Sequence, residues 1–351
     1  MLTITDTGQT PGNRRARRER RISKMQTMTI CHAPQPGGPD ALRFEKAARP
    51  RPSPGEVLIR VAAIGVNRLD AMQRAGVYPV PPGANPVLGV ECAGEIIEVG
   101  AGVEGIASGM RVAALLSGGG YAEYAVADWR HVVVVPQDWD DVLAASVIET
   151  FCTAHETLFE LSRLSAGERV LIHAGGSAVG STAIRMAQHV GAEIISTVGR
   201  EDKVRRLQGW GVPHVINYRE TDFAEVIREI HPDGIDVVED FVGPAYLARH
   251  VSLLRWRGRL AFVGLLSAGV AECDVAAVLT KMLQLRGFTL RPHSAEEKAA
   301  VIERFRQHWM PVLANREIEP AIHAVLPFGK VADAHHMLEA GDNFGKIILC
   351  P

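Results

Sequence analysis

The stretch Arg169-Val170-Leu171-Ile172-His173-Ala174-Gly175-Gly176-Ser177-Ala178-Val179-Gly180-Ser181 decides the fold. It opens with an apolar run of strand length, passes through a cluster of glycines, and continues from Ser181 to Val190 with helical spacing of its apolar residues. A tight glycine turn between a strand and a helix lets backbone amides approach a pyrophosphate, and the helix N-terminus favours the negative charge. The hexamer Gly175–Gly180 reads G-x-S-x-x-G rather than G-x-G-x-x-G, so its weight comes from its context. Residues Gly175, Gly176, Ser177, Ala178, Val179 and Gly180 are therefore the expected dinucleotide cradle, against a purely structural turn.

Downstream the grammar repeats. Candidate strands at Glu193–Thr197, His214–Asn217, Ile235–Glu239 and Arg259–Val263 alternate with helices such as Asp202–Gln208. Near-continuous apolar strands between helices predict a parallel sheet covered on both faces, an α/β doubly wound nucleotide-binding domain. Upstream, a helical stretch is expected at about 144–164. Before it, from Met28 to about Asp141, short apolar runs (Glu56–Val61, Gly94–Val99, Arg111–Leu115, His131–Val135) separated by Gly and Pro predict a β-rich, barrel-like domain. Tyr78-Pro79-Val80-Pro81-Pro82-Gly83 reads as a loop, because its prolines lack backbone donors. After Arg291 a helix at about 295–313 and short mixed segments follow; packed back onto the β-rich domain, they make the nucleotide-binding domain an insertion. The expected division is 26–150 with 292–351, and 151–291.

Composition narrows the classes. The chain has 351 residues, 47% hydrophobic and 22% charged, with a net charge of −2, which gives no reason to expect nucleic acid or a membrane as partner. No apolar run approaches the ~18 residues of a membrane span. Five scattered cysteines without a CxxC pair suggest neither a disulfide framework nor a zinc lobe, so a reduced cytoplasm is the default compartment. Residues 1–25 contain the basic run Arg14–Arg21 and read as a disordered tail, or as sequence ahead of a start at Met25 or Met28; the alternative is a nucleic-acid or targeting arm.

Cofactor choice depends on the end of the second strand. An acid there would bind the ribose hydroxyls of NAD; here Val198 holds the place, with Arg200 and Lys203 directly after it. A guanidinium and an ammonium bind a 2′-phosphate that a carboxylate would repel. NADPH is the expected cofactor, against a solvated charged helix start.

Val66-Asn67-Arg68-Leu69-Asp70, Gly76–Gly83, Leu88-Gly89-Val90-Glu91-Cys92-Ala93-Gly94 and His173–Ser177 together resemble the medium-chain dehydrogenase/reductase superfamily. Within it they are most similar to the quinone oxidoreductase (zeta-crystallin) branch of the p53-inducible type, over about Met28 to Pro351. The resemblance implies a GroES-like catalytic domain, a Rossmann domain and a homodimer. Zinc enzymes of the superfamily place Cys where this chain has Asn67 and His where it has Val90, so no metal is expected. Asn67, Tyr78 and Ser177 are implied around the nicotinamide and substrate: Tyr78 as donor to a carbonyl oxygen or as a packing aromatic, Asn67 as substrate-orienting or loop-holding, Ser177 chiefly as a cofactor contact. Thr153 matches a threonine near the nicotinamide ribose, and Tyr218 a tyrosine near the 2′-phosphate. Val242 with Gly243, Gly264 with Leu265, and Asn343, Gly345 and Lys346 match backbone bordering the cofactor. Ala178 replaces a usual glycine, and His155 replaces a large aromatic, as a packing or a substrate-side residue.

The implied reaction is hydride transfer to a quinone. Reduction of an enone or alkenal double bond is the runner-up. The contrasting class is a non-catalytic NADPH-binding protein, crystallin-like or contacting RNA through its basic tail.

Overall fold

The computed structural model describes residues 26–267 and 269–351; the basic run expected to form a tail lies outside them. The chain first lays down β1 (Thr27–His32) and β2 (Arg43–Ala48), an antiparallel pair, then β3 (Glu56–Val66), β4 (Glu91–Val99), β5 (Arg111–Leu115), β6 (Tyr124–Asp128) and β7 (Val132–Val134). The parallel block follows: β8 (Arg169–Ile172), β9 (Glu193–Val198), β10 (His214–Asn217), β11 (Ile235–Asp240), β12 (Leu254–Phe262) and β13 (Gln284–Gly287). Last come β14 (Ile322–Pro327) and β15 (Lys346–Cys350).

The parallel strands order as β10-β9-β8-β11-β12-β13, so the order reverses between β8 and β11. In such sheets a ligand lies outside the carboxyl ends of the strands at that reversal. The other sheet orders as β14-β15-β3-β4-β5-β7, with β6 on β3. The last strands thus complete the first sheet, and the fold is a GroES-like domain with a Rossmann domain between its parts.

Three apolar cores hold this together. One fills the β-rich domain around Val57, Ile59, Cys92, Val112 and Leu349. A second lies under one face of the parallel sheet, around Ile195, Ile227, Val238 and Leu260. The third is continuous from Ala63, Ala93 and Ala113 through Phe151 to Ile184, Val237 and Phe305, and fastens the two sheets to each other. Its centre is the helix Ile148–His155, all eight residues of which are buried.

The helical stretch expected at 144–164 is broken into Asp141–Ala144, Ile148–His155 and a π-helical turn at Glu156–Leu161. Threonines explain part of the bend: Thr150 and Thr157 donate to the carbonyls of Ser146 and Thr153, four residues back, at 3.1 and 2.9 Å. The helix expected at 295–313 runs Ala295–His308 and restarts at Met310, because Pro311 cannot donate within a helix. Among the described residues no helix is long and apolar enough to cross a membrane.

Candidate functional site

The glycine turn is built by close approach. A methyl group at Gly175 would lie 2.1 Å from Ser196 Oγ, and one at Gly180 would lie 2.4 Å from the Ala174 carbonyl. Glycine is what lets the helix Ala178–His189 start against β8 and β9. Ala174 itself has a left-handed φ of 49°, an uncommon conformation for a residue with a β-carbon. Ser177 caps this helix: its Oγ accepts from the Gly180 N–H at 3.0 Å. The first-turn amides of Ala178 and Val179 have no acceptor within the helix, which leaves them for an anion. Ser177 is therefore placed as a cap inside the glycine turn, not as a free hydroxyl. Ala178 directs its one methyl from the first position of the helix.

The residues expected to choose the cofactor surround the end of β9. Arg200 caps the next helix, Glu201–Gly209, and is exposed; it pairs with Asp202 at 2.9 Å and Asp342 at 2.6 Å. Tyr218 leaves β10 with its hydroxyl over Gly199, where an added methyl would lie 2.5 Å away. Lys203 is buried and turned inward, its Nζ donating to the Gly341 and Asn343 carbonyls at 2.7 Å each. It also lies across Gly176, where a methyl would meet its Cδ at 2.8 Å. Two residues on, the Gly345 N–H donates to the Gly176 carbonyl at 2.9 Å, and the Asn343 side chain donates to the Gly345 carbonyl at 2.8 Å. The loop before β15 is thereby laced to the glycine turn.

On the other side of the strand-order reversal, the carboxylate of Asp240 accepts from the Val242 and Gly243 N–H groups at 2.7 and 3.1 Å. Gly243 has φ 88°, and a methyl there would meet Leu265 Cδ2 at 2.8 Å. Val242–Gly243 and Gly264–Leu265 are thus two touching loops at the carboxyl ends of β11 and β12.

A second cluster is assembled by strand register. Ile347 lies opposite Val66, which brings Lys346 beside Asn67; Ile64 lies opposite Cys92, which brings Gly65 beside Glu91. Gly65 makes the room, since a methyl there would overlap the Glu91 carboxylate. Lys346 Nζ donates to Asn67 Oδ1 at 2.6 Å and pairs with Glu91. Asn67 Nδ2 donates to Glu91 Oε1 at 2.8 Å, and Glu149 Oε2 lies 3.9 Å from the same ammonium. Thr153 Oγ1 donates to Glu149 Oε1 at 3.2 Å. All five side chains are buried. Burial pushes Glu149 well above the usual carboxylate range, while Lys346 pulls it back. Below the cluster Asp70 accepts from the Asn67 and Gly89 N–H groups at 2.9 and 3.0 Å, and burial pushes it up to about 6.

Tyr78 is half-buried on its loop, its hydroxyl 3.0 Å from Thr289 Oγ1. The Arg291 guanidinium lies 5.7 Å from the centre of the ring. Arg291 is buried, and its Nε donates to the Ser117 carbonyl, while Nη1 and Nη2 have no partner among the described residues. His155 is a packing residue: its Nδ1 accepts from Trp309 Nε1 at 2.9 Å, its ring stacks on His308, and burial pushes it down to about 4. Sequence reasoning missed Glu91, Glu149 and Arg291. A signal existed for two of them, since Glu91 and Glu149 are lone charges inside otherwise uncharged, largely apolar runs, Leu88–Ala93 and Ala144–Cys152.

The model of the alcohol dehydrogenase GroES-like domain matches residues 53–137, and that of the zinc-binding dehydrogenase matches residues 178–307. A 2-haloacrylate reductase from a Burkholderia species is 34% identical over 326 residues, covering 90% of this chain and 96% of that protein. The quinone oxidoreductase of Homo sapiens is 32% identical over 320 residues, covering 89% and 94%. A mycobacterial protein solved in complex with NADPH has a TM-score of 0.82 at 30% identity, covering 92% of this chain and all of that one.

Proposed function

Because the chain belongs to the medium-chain dehydrogenase/reductase superfamily, fits its quinone oxidoreductase branch and is an oxidoreductase, we propose that it reduces quinones with NADPH and without zinc. The end of β9 carries the cofactor choice. Val198 stands where an acid would end the strand, the acids Glu201 and Asp202 fall in the first turn of the next helix, and Arg200 together with the Tyr218 hydroxyl borders Gly199. Both are donors suited to a 2′-phosphate. Lys203 adds positive charge from beneath the turn while holding the closing loop.

Zinc is implied by one of the family descriptions, and the donor set does not fit it. Val90 has no ligand atom, both ends of the Asn67 amide are committed, and the Lys346 ammonium lies against Glu91. A metal needs deprotonated nitrogen, sulfur or oxygen donors in a near-tetrahedral set. Hydrogen bonds must polarise the acceptor instead.

When bound, the reduced nicotinamide supplies the hydride. The chain's own part is to orient and to stabilise charge. Tyr78 offers a phenolic donor to the carbonyl oxygen on which negative charge develops, and Arg291 adds positive potential behind its ring. Lys346 locks Asn67 so that its backbone and the helix Arg68–Arg74 that starts from it hold one position. The proton that completes the hydroquinone comes through the Tyr78 hydroxyl or from solvent.

Purified protein mixed with NADPH and a panel of quinones and enones, with the reduced cofactor followed by absorbance, tests this reading. Quinone-dependent oxidation is expected. Faster turnover of enones would favour double-bond reduction, the reading that the Burkholderia reductase supports. Tight NADPH binding with no acceptor-dependent oxidation would leave a non-catalytic protein. Arg200→Asp should weaken NADPH by ~10-fold or more, on the scale of one charge-assisted contact, with little change for NADH.

A homodimer belongs to the same proposal. Leu266, Val270, Val275, Leu279 and Met282 are exposed apolar residues in the segment from β12 to β13, the free edge of the parallel sheet, and a second copy would cover them. The five unpaired cysteines support a reducing cytoplasm as its compartment.

A further inference from the structure

Three side chains converge at the end of the parallel sheet opposite the glycine turn. Glu193 opens β9, His214 opens the neighbouring edge strand β10, and His231 closes the helix Phe223–Ile230. One atom from each lies within 4.8 Å of the other two. Glu193 Oε1 faces both rings, 3.2 Å from His231 Nε2 and 3.9 Å from His214 Nε2. The rings stand nearly perpendicular, their centres 5.7 Å apart. The other carboxylate oxygen is held by Arg169, whose Nε is 3.6 Å from Oε2. One oxygen is thus anchored and the other is turned toward two imidazoles.

His231 supplies a second, independent sign. It is 7% exposed, and among the described residues its Nε2 makes no hydrogen bond although the Glu193 carboxylate is close. Nearly every buried polar atom finds a partner, so a buried ring nitrogen aimed at a carboxylate and another imidazole without bonding either needs explaining.

We propose that Glu193, His214 and His231 form a transition-metal site, with Zn2+ as the cation that its ligands fit best. Two imidazoles and one carboxylate are a three-ligand zinc set, with water in the fourth position. Nitrogen donors disfavour calcium and magnesium, which take oxygen. Zinc bonds of about 2.0–2.1 Å in a tetrahedron place ligand atoms roughly 3.3 Å apart. The Glu193–His231 pair already has that spacing, and the His214 ring, one-third exposed, has to close on Glu193 by about half an ångström and to approach the His231 ring as well. The bound ion would tie the edge strand β10 and β9 to the end of a helix, far from the strand ends where cofactor chemistry takes place.

Chelator-stripped full-length protein titrated with zinc sulfate is expected to take up one equivalent, and its thermal midpoint to rise with zinc concentration. His214→Ala and Glu193→Gln change part-exposed side chains; both are expected to fold, and neither to bind zinc nor shift its midpoint at the same concentrations. Cobalt(II) in place of zinc should give the visible bands of a four-coordinate site with no thiolate charge-transfer band. No uptake by the unmodified protein, equal uptake by both variants, or a thiolate band that puts the metal on cysteine would each overturn the proposal.

Discussion

The glycine turn and the Asn67–Glu91–Glu149–Lys346 cluster both belong to the candidate site, yet they are made in opposite ways. The turn is contiguous, from Ala174 to Gly180, and its parts act through backbone amides and the absence of side chains. The cluster draws one side chain from each of four segments, and acts through charges brought together by the register of β15 on β3 and β3 on β4. The turn tolerates no added bulk; the cluster tolerates no unbalanced charge. Local chemistry can be written in seven residues. Register-built chemistry exists only after the sheet has closed.

The largest effect should come from breaking the cluster. Lys346→Met leaves buried carboxylates without their cation and should cost about 3–5 kcal/mol in denaturant unfolding. Adding Glu91→Gln should restore part of the loss. A single-variant cost below about 1 kcal/mol would mean that the cluster does not act as a unit. The turn is broken more gently: Gly175→Ala puts a methyl 2.1 Å from Ser196 Oγ, for about 1–3 kcal/mol and weaker NADPH binding by fluorescence titration. Unchanged binding would show that the turn has slack.

Glu239 sharpens the comparison, because it is a buried carboxylate with no cation. Its Oε1 accepts from Thr157 Oγ1 at 2.7 Å, its Oε2 has no partner among the described residues, and burial pushes it up from the ordinary 4.5 to about 8. The folded state therefore holds this proton more tightly than the unfolded one. The stability it carries is complete below about pH 4.5 and is lost as pH rises through about 8. Glu239→Gln should gain about 1–2 kcal/mol at pH 9 and little at pH 5, read from unfolding at both values. Equal gains at the two values would deny the titration.

The smallest effect belongs to the cap. Ser177→Ala loses the bond to Gly180 and should cost about 1 kcal/mol, with turnover falling only as far as cofactor affinity does. A collapse of kcat with KM unchanged would give Ser177 a role in the reaction itself rather than in holding the cofactor.

Much of this fold was legible because strand, turn and helix alternate with clear apolar runs from Arg169 to Phe262. β13 was not, because Gln284-Leu285-Arg286-Gly287 is a partly exposed edge strand with no apolar run. The first strand, Thr27–His32, was missed for the same reason: three of its six positions are polar. In the site, the glycine hexamer and the β9 end could be read directly, since their meaning is local. Lys346 was visible only as part of a bordering loop, and its ammonium's place beside Asn67 follows from a pairing between residues at opposite ends of the chain. Tyr78 was placed on a loop correctly, but its neighbour Arg291 arrives from far along the chain, beyond β13, and left no mark nearby.

The position of β15 also sets an order of events during synthesis. It lies between β14 and β3, so the central strand of the first sheet lacks a neighbour until residues 346–350 have been made. The parallel sheet, complete by Gly287, can close while the ribosome is still at work. The domain translated first is therefore the one that matures last, and its open edge at Ile64–Val66 is the surface a nascent-chain chaperone would have to shield.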